Sequence, residues 1–526
     1  MTKLMKKITA WKIDYLFLFI LMSVYYSWIQ WNNFIGDPDG FYHAKLAIWL
    51  RQGHFIQSLP WMQFSTLRDS FTDHHLLYHI LLAPFTYIPN PLVGVKIATV
   101  VFAVLMVMTF YWLLKRMKII WPIAFALAFL TLNGLNFRIS LVKANSLSLL
   151  IIWLLIYALF NKKIWLSMLL SWLFVWLYGG WPLAILILIT YIVSEKIYTR
   201  IHSNRVKIFW DKAIHFFETD SKHKTLKIST ALLTGLALGV IINPYWPQNL
   251  YFYYQQVIQI GLINQGQNFV VGGEWYGTSI MNIISSAPHV FVLACLSFLT
   301  LFFNVKKASR LSWFSFILVF GFMILTIKSR RYVEYYMPFA LLFTASSITD
   351  LKDFIKLDKV ISIWEKLGLN LKIYLSVVAM VFFTMVMPSI YDRILNVKLS
   401  DSWTMDKFLP ATNWLAENTP PDSIVFHSDW DEWPVLFYHN DHNYYLIGLD
   451  PTFMENYNSQ LHKTYRDITN GETKFSVAKQ IKNYFGANYI FVDKNGHQAF
   501  IDNLSRDKDV ELMFNDNDSS IYKINL

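Results

Sequence analysis

The chain has 526 residues, 55% of them hydrophobic and 17% aromatic, with a formal net charge of +11 and one cysteine, Cys295. So apolar a composition excludes an ordinary soluble globular protein, and a single cysteine excludes an intrachain disulfide. The basic residues cluster in short loops between apolar runs, so the charge reads as membrane topology and not as a nucleic-acid surface.

Residues 1–12 carry four lysines and precede an uncharged run over 15–31, about long enough to cross a bilayer with slight thinning. No small-residue cleavage site follows, so the run reads as an anchor helix and not as a removed signal peptide. Directly after it comes Ile35-Gly36-Asp37-Pro38-Asp39-Gly40-Phe41-Tyr42-His43, which puts two carboxylates and a histidine where a membrane helix meets water. Pro38 fixes its own φ and biases Asp37 toward extended backbone, Gly40 tolerates almost any conformation, and Asp39 suits the N-cap of a helix beginning at Phe41. The plain reading is a capped helix start. The other is a pair of carboxylates kept for chemistry.

Uncharged runs recur at 97–114, 119–137, 144–160, 164–178, 181–194, 228–246, 283–304, 311–327, 335–348 and 373–390, which with the first makes eleven candidate spans. Several fall short of the ~20 residues of a usual span. Alternate loops hold the basic residues: Lys115, Arg116 and Lys118; Lys162 and Lys163; 195–227; Lys306, Lys307 and Arg310; and 352–372. By the positive-inside rule these loops and the N-terminus are cytoplasmic, which puts Asp37, Asp39 and everything after residue 390 on the opposite face. Beyond 390 the runs 424–426, 444–447, 489–492 and 520–524 have strand length and alternate with helical patterns. The expected fold is a polytopic α-helical membrane protein: residues 1–390 form the multi-span domain with its external loops, and residues 391–526 form a soluble extracytoplasmic α/β domain.

The outward loops gather Asp37, Asp39 and His43; Arg68, Asp73, His74, His75 and His79; Arg138 and Lys143; Glu274; and Lys328, Arg330, Arg331 and Glu334. Carboxylates on two loops suit a divalent cation through oxygen ligands, and a basic cluster at a membrane boundary suits a phosphate or pyrophosphate. His75 and His79 stand four apart, which is zinc-ligand spacing. Without an HExxH pattern or a cysteine pair they read as phosphate-contacting or supporting histidines. The three cations of Lys328-Ser329-Arg330-Arg331 stand at an outward helix end, against the positive-inside bias, which singles them out. In the last segment His427-Ser428-Asp429-Trp430-Asp431-Glu432-Trp433-Pro434 follows a strand-like run. Acidic residues interleaved with tryptophans suit a polar acceptor or, alternatively, the docking of this domain onto the membrane part. Gly448-Leu449-Asp450-Pro451-Thr452 reads as a turn without chemistry.

Together these residues resemble the GT-C superfamily of polyprenyl-phosphate-sugar glycosyltransferases, and within it the catalytic subunit of oligosaccharyltransferase and its single-subunit bacterial and archaeal relatives. By that resemblance Asp39 in Asp-Gly-Phe-Tyr, with Asp37 beside it, matches the acidic motif of the first external loop that binds the metal and contacts the acceptor. Glu274 in Gly-Gly-Glu-Trp-Tyr matches a glutamate of a late external loop, Arg331 in Arg-Arg-Tyr an arginine near the donor's pyrophosphate, and Asp429-Trp430-Asp431 part of a tryptophan-tryptophan-aspartate acceptor motif. The chain departs from the pattern twice. Where a second acidic motif is expected it reads Arg138-Ile139-Ser140-Leu141-Val142-Lys143-Ala144-Asn145. Either Mg²⁺ or Mn²⁺ on Asp39, or the charges of Arg138 and Lys143, would then serve the donor phosphates. Asp429 also replaces the first tryptophan, so an Asn-X-Ser/Thr acceptor is not implied.

The resemblance implies an enzyme of the bacterial inner membrane that transfers a sugar or oligosaccharide from a polyprenyl phosphate or diphosphate to a lipid, glycan or protein acceptor on the outer face. Asp39, Asp37 and Glu274 would be its catalytic carboxylates. Arg331, Arg330, Arg138, Lys143 and His75 would bind the donor phosphate, and Trp430, Asp431 and Asp429 the acceptor. A transporter or lipid-carrier flippase is the alternative; charges gathered at span ends, away from the bilayer midplane, weigh against it. A catalytically dead scaffold would fit the missing acidic motif. The topology predicts that a reporter fused after Leu526 is active only outside the cell, and one inserted between Ser203 and Lys224 only inside. Activity of both on one side would sink the eleven-span arrangement.

Overall fold

The computed structural model of the chain describes residues 13–202, 220–263, 266, 268–352, 368 and 403–526. The run 373–390, the expected domain boundary at 390, the N-terminal lysines and parts of the basic loops 195–227 and 352–372 lie outside them. In an apolar surrounding a backbone satisfies its N–H and C=O groups most cheaply within a helix, and the uncharged runs are helical accordingly. They are α1 (Ile13–Gln30), followed by the short strand β1 (Phe34–Ile35), then α2 (Asp39–Arg51), α3 (Leu76–Leu82), α4 (Pro91–Arg116), α5 (Pro122–Leu127), α6 (Asn133–Ile139), α7 (Asn145–Phe160) and α8 (Ile164–Leu177). After them come α9 (Leu183–His202), α10 (Asp220–Ile241), α11 (Asn249–Tyr253), α12 (Ile280–Ser286), α13 (Pro288–Phe303), α14 (Arg310–Lys328) and α15 (Val333–Asp350).

Two of the runs are broken. The chain bends by 80° before α6 and by 106° between α12 and α13, where Pro288 takes the first position of the new helix. By length and composition, four of the described helices, α1, α4, α10 and α14, can cross a membrane, or six spans if each bent pair counts as one. This is a multi-pass helical membrane protein. Of the eleven expected spans, 373–390 lies outside the described residues, and among the described ones further spans would have to come from shorter helices such as α7 and α8.

Close packing of α8 on α10 depends on glycine. A Cβ on Gly235 would lie 2.2 Å from both the Met168 carbonyl oxygen and Ser171 Oγ, and one on Gly239 2.8 Å from Val175 Cβ. Small residues four apart let two membrane helices approach until backbone and side chain hydrogen-bond across the seam. Ser171 Oγ donates to the Leu232 carbonyl at 2.9 Å and Trp176 Nε1 to that of Gly239 at 3.0 Å.

The last segment contains β2 (Trp403–Thr404), α16 (Leu409–Asn418), β3 (Val425–His427), α17 (Trp433–His439), α18 (Thr452–Tyr457), α19 (Ser459–Thr469), α20 (Val477–Phe485), β4 (Tyr489–Asp493), α21 (Gln498–Arg506), β5 (Val510–Asn515) and β6 (Ser519–Ile524). The sheet runs β3-β4-β6-β5, with β3 and β4 parallel and the other pairs antiparallel. Phe426, Ile468, Ile481, Ile490 and Phe500 form a core of its own. The expected strand at 444–447 makes only isolated bridges, Ile424 to Tyr444 and Met62 to Tyr445. Its carbonyls at Tyr445 and Leu446 instead accept from Gln63 and Phe64 N–H at 2.9 Å. The unexpected strand β5 is an edge strand whose outward side chains leave it without an apolar alternation.

This α/β layer is stitched to the segments on either side of α2. β1 pairs antiparallel with β2, Phe34 opposite Thr404 and Ile35 opposite Trp403. Trp61 Nε1 donates to the Asp441 carbonyl at 2.8 Å, and Trp433 Nε1 to that of Trp61 at 2.7 Å. The loop leaving β3 is thereby held over the start of α2. Overpacking a close seam costs about 1–3 kcal/mol, so Gly235→Ala should lower the apparent melting temperature in detergent. Gly321→Ala, where a Cβ meets nothing within 4 Å, should leave it unchanged. Equal melting of the two variants would refute the glycine seam.

Candidate active site

The start of α2 differs from the expected cap. Pro38 holds the N-cap position without a side-chain bond, the helix begins at Asp39 itself, and Asp37 Oδ1 accepts from the Asp39 N–H at 3.0 Å. The Asp39 carboxylate is thus released from capping. Gly40 then matters by its missing side chain: a Cβ there would stand 2.5 Å from Ile35 Cγ2 and 3.2 Å from Val142 Cβ. That close approach brings the segment after α6 against the first turn of α2. Lys143 Nζ reaches Asp37 Oδ2 and Asp39 Oδ2, each at 2.9 Å.

A second ionic group adjoins the first. Arg138, at the end of α6, donates from Nε to Glu334 at 3.0 Å and from Nη1 to Glu274. Arg331 donates from Nη1 to the other oxygen of Glu274 at 3.2 Å and from Nη2 to the Tyr178 hydroxyl at 2.9 Å, while its guanidinium lies 4.6 Å from the Trp275 ring centre. Burial alone would raise the Glu274 carboxyl, but Arg138, Lys143 and Arg331 outweigh it and hold the group well below the usual carboxylate range. Glu274 is therefore an anionic bridge between two arginines.

Both groups open on a cavity of about 110 Å³ whose wall includes Asp39, His43, Lys143, Glu274, Arg331 and Asp450. Of the candidates from the sequence, Asp39, Glu274, Arg331, Lys143 and His75 share this cavity. Asp37 stands beside it through Lys143, and Arg138 one layer behind through Glu274. Arg330 is exposed; its N–H donates to the Tyr276 carbonyl at 2.9 Å, and its side chain is not part of the cavity wall. The third group sits at the rim. The Trp430 ring comes within 3.8 Å of where Gly272 would carry a Cβ, two residues before Glu274. Asp429 accepts from the Trp430 N–H at 2.7 Å. Asp431 is half-buried, and burial, then Asp429 and Glu432, push its carboxyl well above the usual range. Glu432 is sealed beneath, accepting from the Ser428 N–H at 3.1 Å.

The cavity also contains residues that sequence reasoning passed over. Asp450, from the turn assigned no chemistry, lines the wall with Oδ1 accepting from the Thr452 N–H at 2.8 Å. Tyr178 and the Gly179-Gly180 turn between α8 and α9 line it too, and a Cβ on Gly179 would lie 2.8 Å from the His74 ring. The glycine pair was the one available signal. For Asp450 there was only a carboxylate after a strand-like run.

The side chains do not fit a divalent ion. The Lys143 ammonium lies between the two carboxylates that would have to hold it, and Glu274 is taken by arginines. Among the described residues no three histidine, cysteine, aspartate or glutamate side chains converge as a metal site. The positive charge at this point of the cavity is the lysine's.

No family model and no curated protein sequence matches the chain. Its fold is shared by solved structures. The archaeal oligosaccharyltransferase AglB from Archaeoglobus fulgidus, in complex with an inhibitory peptide and a dolichol-phosphate, superimposes with a TM-score of 0.61 at 13% identity over 92% of this chain and 69% of that one. ArnT from Cupriavidus metallidurans, bound to undecaprenyl phosphate, gives 0.52 at 10% identity over 98% of both chains. The arabinofuranosyltransferase AftD from Mycobacteria gives 0.54 at 10% identity over 98% of this chain and 40% of its own. At such identities the likeness is one of fold alone, and it extends over most of the length of this chain.

Proposed function

We propose that the chain is an integral membrane glycosyltransferase that moves a sugar or oligosaccharide from a polyprenyl phosphate or diphosphate to an acceptor on the outer face of the membrane. The observation that carries this reading is the single cavity in which Arg331 and Lys143 stand beside the Asp39 carboxylate. It is supported by the fold, since two solved proteins that share it are complexed with dolichol-phosphate and undecaprenyl phosphate.

As the bond from the anomeric carbon to the phosphate oxygen breaks, negative charge grows on the leaving phosphate, and preorganised cations stabilise it without reorganising. Arg331 is held in plane by Glu274, Tyr178 and Trp275, and its remaining N–H groups can grip phosphate bidentately. Arg138 holds Glu274 in place from behind. Lys143 supplies positive charge beside Asp39 where a metal would otherwise stand, and Asp39 orients the acceptor. Asp429, Trp430 and Asp431 recognise that acceptor at the rim. With Asp429 replacing a tryptophan and Glu432-Trp433-Pro434 following, the acceptor is a hydroxyl of a lipid or cell-envelope glycan and not a peptide Asn-X-Ser/Thr. The bacterial inner membrane, with the N-terminus cytoplasmic and the C-terminal segment outside, is the location that suits such a carrier.

Undecaprenyl phosphate binding, read by native mass spectrometry in nanodiscs, should weaken in Arg331→Lys, weaken further in Arg331→Ala and stay level in Arg330→Ala. Equal binding by all three removes Arg331 from the site. With radiolabelled lipid-linked sugar extracted from the native membranes, label should pass to envelope lipid or glycan and not to a sequon peptide. Transfer should persist in EDTA and fall roughly 10²–10³-fold in Lys143→Met. Loss in EDTA with rescue by Mn²⁺ would overturn the role of Lys143, and transfer to the peptide would overturn the acceptor class.

A further inference from the structure

Three side chains with no part in the ionic groups form one hydrogen-bonded line that runs from behind the cavity wall to His43 in it. Asp73 Oδ2 lies 2.7 Å from His79 Nδ1, and His79 Nε2 lies 2.7 Å from His43 Nδ1. All are buried, Asp73 and His43 to 3% exposure and His79 to 0%. Asp73 Oδ1 accepts from the His75 N–H at 3.0 Å at the start of α3, which fixes the carboxylate where the next turn of that helix brings His79 back onto it. His43 follows Asp39 by four residues on α2, so the two stand on the same side of the helix. The Tyr78 ring meets the His43 ring edge-on at 5.2 Å.

With the carboxylate ionised and both rings neutral, hydrogen-bond polarity along this line assigns every proton. A carboxylate only accepts, so the hydrogen of His79 is on Nδ1 and its Nε2 is a lone pair. That lone pair requires a donor, so the hydrogen of His43 is on Nδ1 and its own Nε2 is a lone pair. His43 is part of the cavity wall, and its Nε2 is not among the sealed buried polar atoms left without a partner, as the Nδ1 of His75 is.

We propose that His43, positioned through His79 by Asp73, is the base that removes the acceptor's proton, which makes the acceptor a hydroxyl. The proposal rests on the transfer reading above. As the acceptor oxygen bonds to the anomeric carbon and the bond from that carbon to the phosphate oxygen breaks, the hydroxyl proton passes to His43 Nε2. The Nδ1 proton of His43 passes to His79 Nε2, and the positive charge comes to rest on His79 beside the Asp73 carboxylate. The leaving phosphate keeps the electron pair of the broken bond, beside Arg331. Burial first, and then the Lys143 ammonium, hold His43 well below the usual histidine value, so it waits in the neutral, accepting form. Asp39, tied to Lys143, orients the hydroxyl and is not needed to take its proton.

Two measurements test this. In full-length protein labelled with [¹⁵N]histidine in nanodiscs, nitrogen shifts should show His43 and His79, assigned through His43→Gln and His79→Gln, both neutral with the hydrogen on Nδ1. A hydrogen on His43 Nε2 at neutral pH overturns the relay. In Asp73→Asn the amide donates to His79, both tautomers reverse and a hydrogen blocks the cavity-facing nitrogen of His43. Transfer of label to envelope glycan should then fall about 10²–10⁴-fold, with undecaprenyl phosphate binding unchanged, while Asp73→Glu recovers part of the rate. Reversed tautomers with undiminished transfer overturn the base, and loss of phosphate binding in Asp73→Asn reassigns Asp73 to structure. If the unaltered protein neither transfers label nor binds undecaprenyl phosphate, the glycosyltransferase reading itself falls. The tautomers, read without substrate, decide the relay independently.

Discussion

Paired opposite charges, half-buried around Lys143 and Arg331 and buried at Arg138 and Glu334, organise one end of this helical bundle. Lys143 stands between Asp37 and Asp39, and Arg138 and Arg331 share Glu274, with Glu334 closing the group behind Arg138. Taking any one of these ions out of water alone costs several kcal/mol, about 3–5 for a pair broken on one side. Each charge is tolerable only because its partners are already in place. Such a group gains little stability over apolar packing. What it secures is position, because cations held by fixed partners do not have to be gathered when an anion arrives.

The fold meets that requirement by tying together segments far apart in the chain. Asp39 comes from the start of α2, Lys143 from the turn after α6, Glu274 from the short helical turn before Tyr276, and Arg331 from the turn before α15. Gly40 sets how closely the first two approach, since any side chain there would push Ile35 and Val142 away. The pairing of β1 with β2 and the two tryptophan hydrogen bonds at Trp61 do the same for the rim, holding Trp430 above Gly272. The cavity wall is therefore built mostly by residues of the helical part, with Leu449, Asp450 and Phe453 added by the α/β layer.

The line from Asp73 through His79 to His43 is a different kind of polar burial. Its order comes from donors and acceptors that can be matched in only one way when the carboxylate is ionised and both rings are neutral. An ionic cluster fixes charge in space; this line fixes a lone pair. Their meeting in one cavity is what a transfer reaction requires, with charge to meet a leaving phosphate and a lone pair to meet a proton.

From the sequence alone the helical membrane class, the change of character toward the C-terminal segment and most of the charged candidates could be read, because apolar runs and stranded charges are local properties of the chain. The same local view misjudged Asp39, which follows the cap and does not serve as it, and took Asp450 for part of an inert turn. It could not separate Arg330 from Arg331, neighbours on one short turn of which only the second faces the cavity. It saw His43, Asp73 and His79 as loose polar residues of two loops. Only tertiary structure decides which ionisable groups share a low-dielectric space, because a pairing of Lys143 with Asp39, or of His43 with His79, depends on where separate helices end in three dimensions. Spacing along the chain carries no record of that.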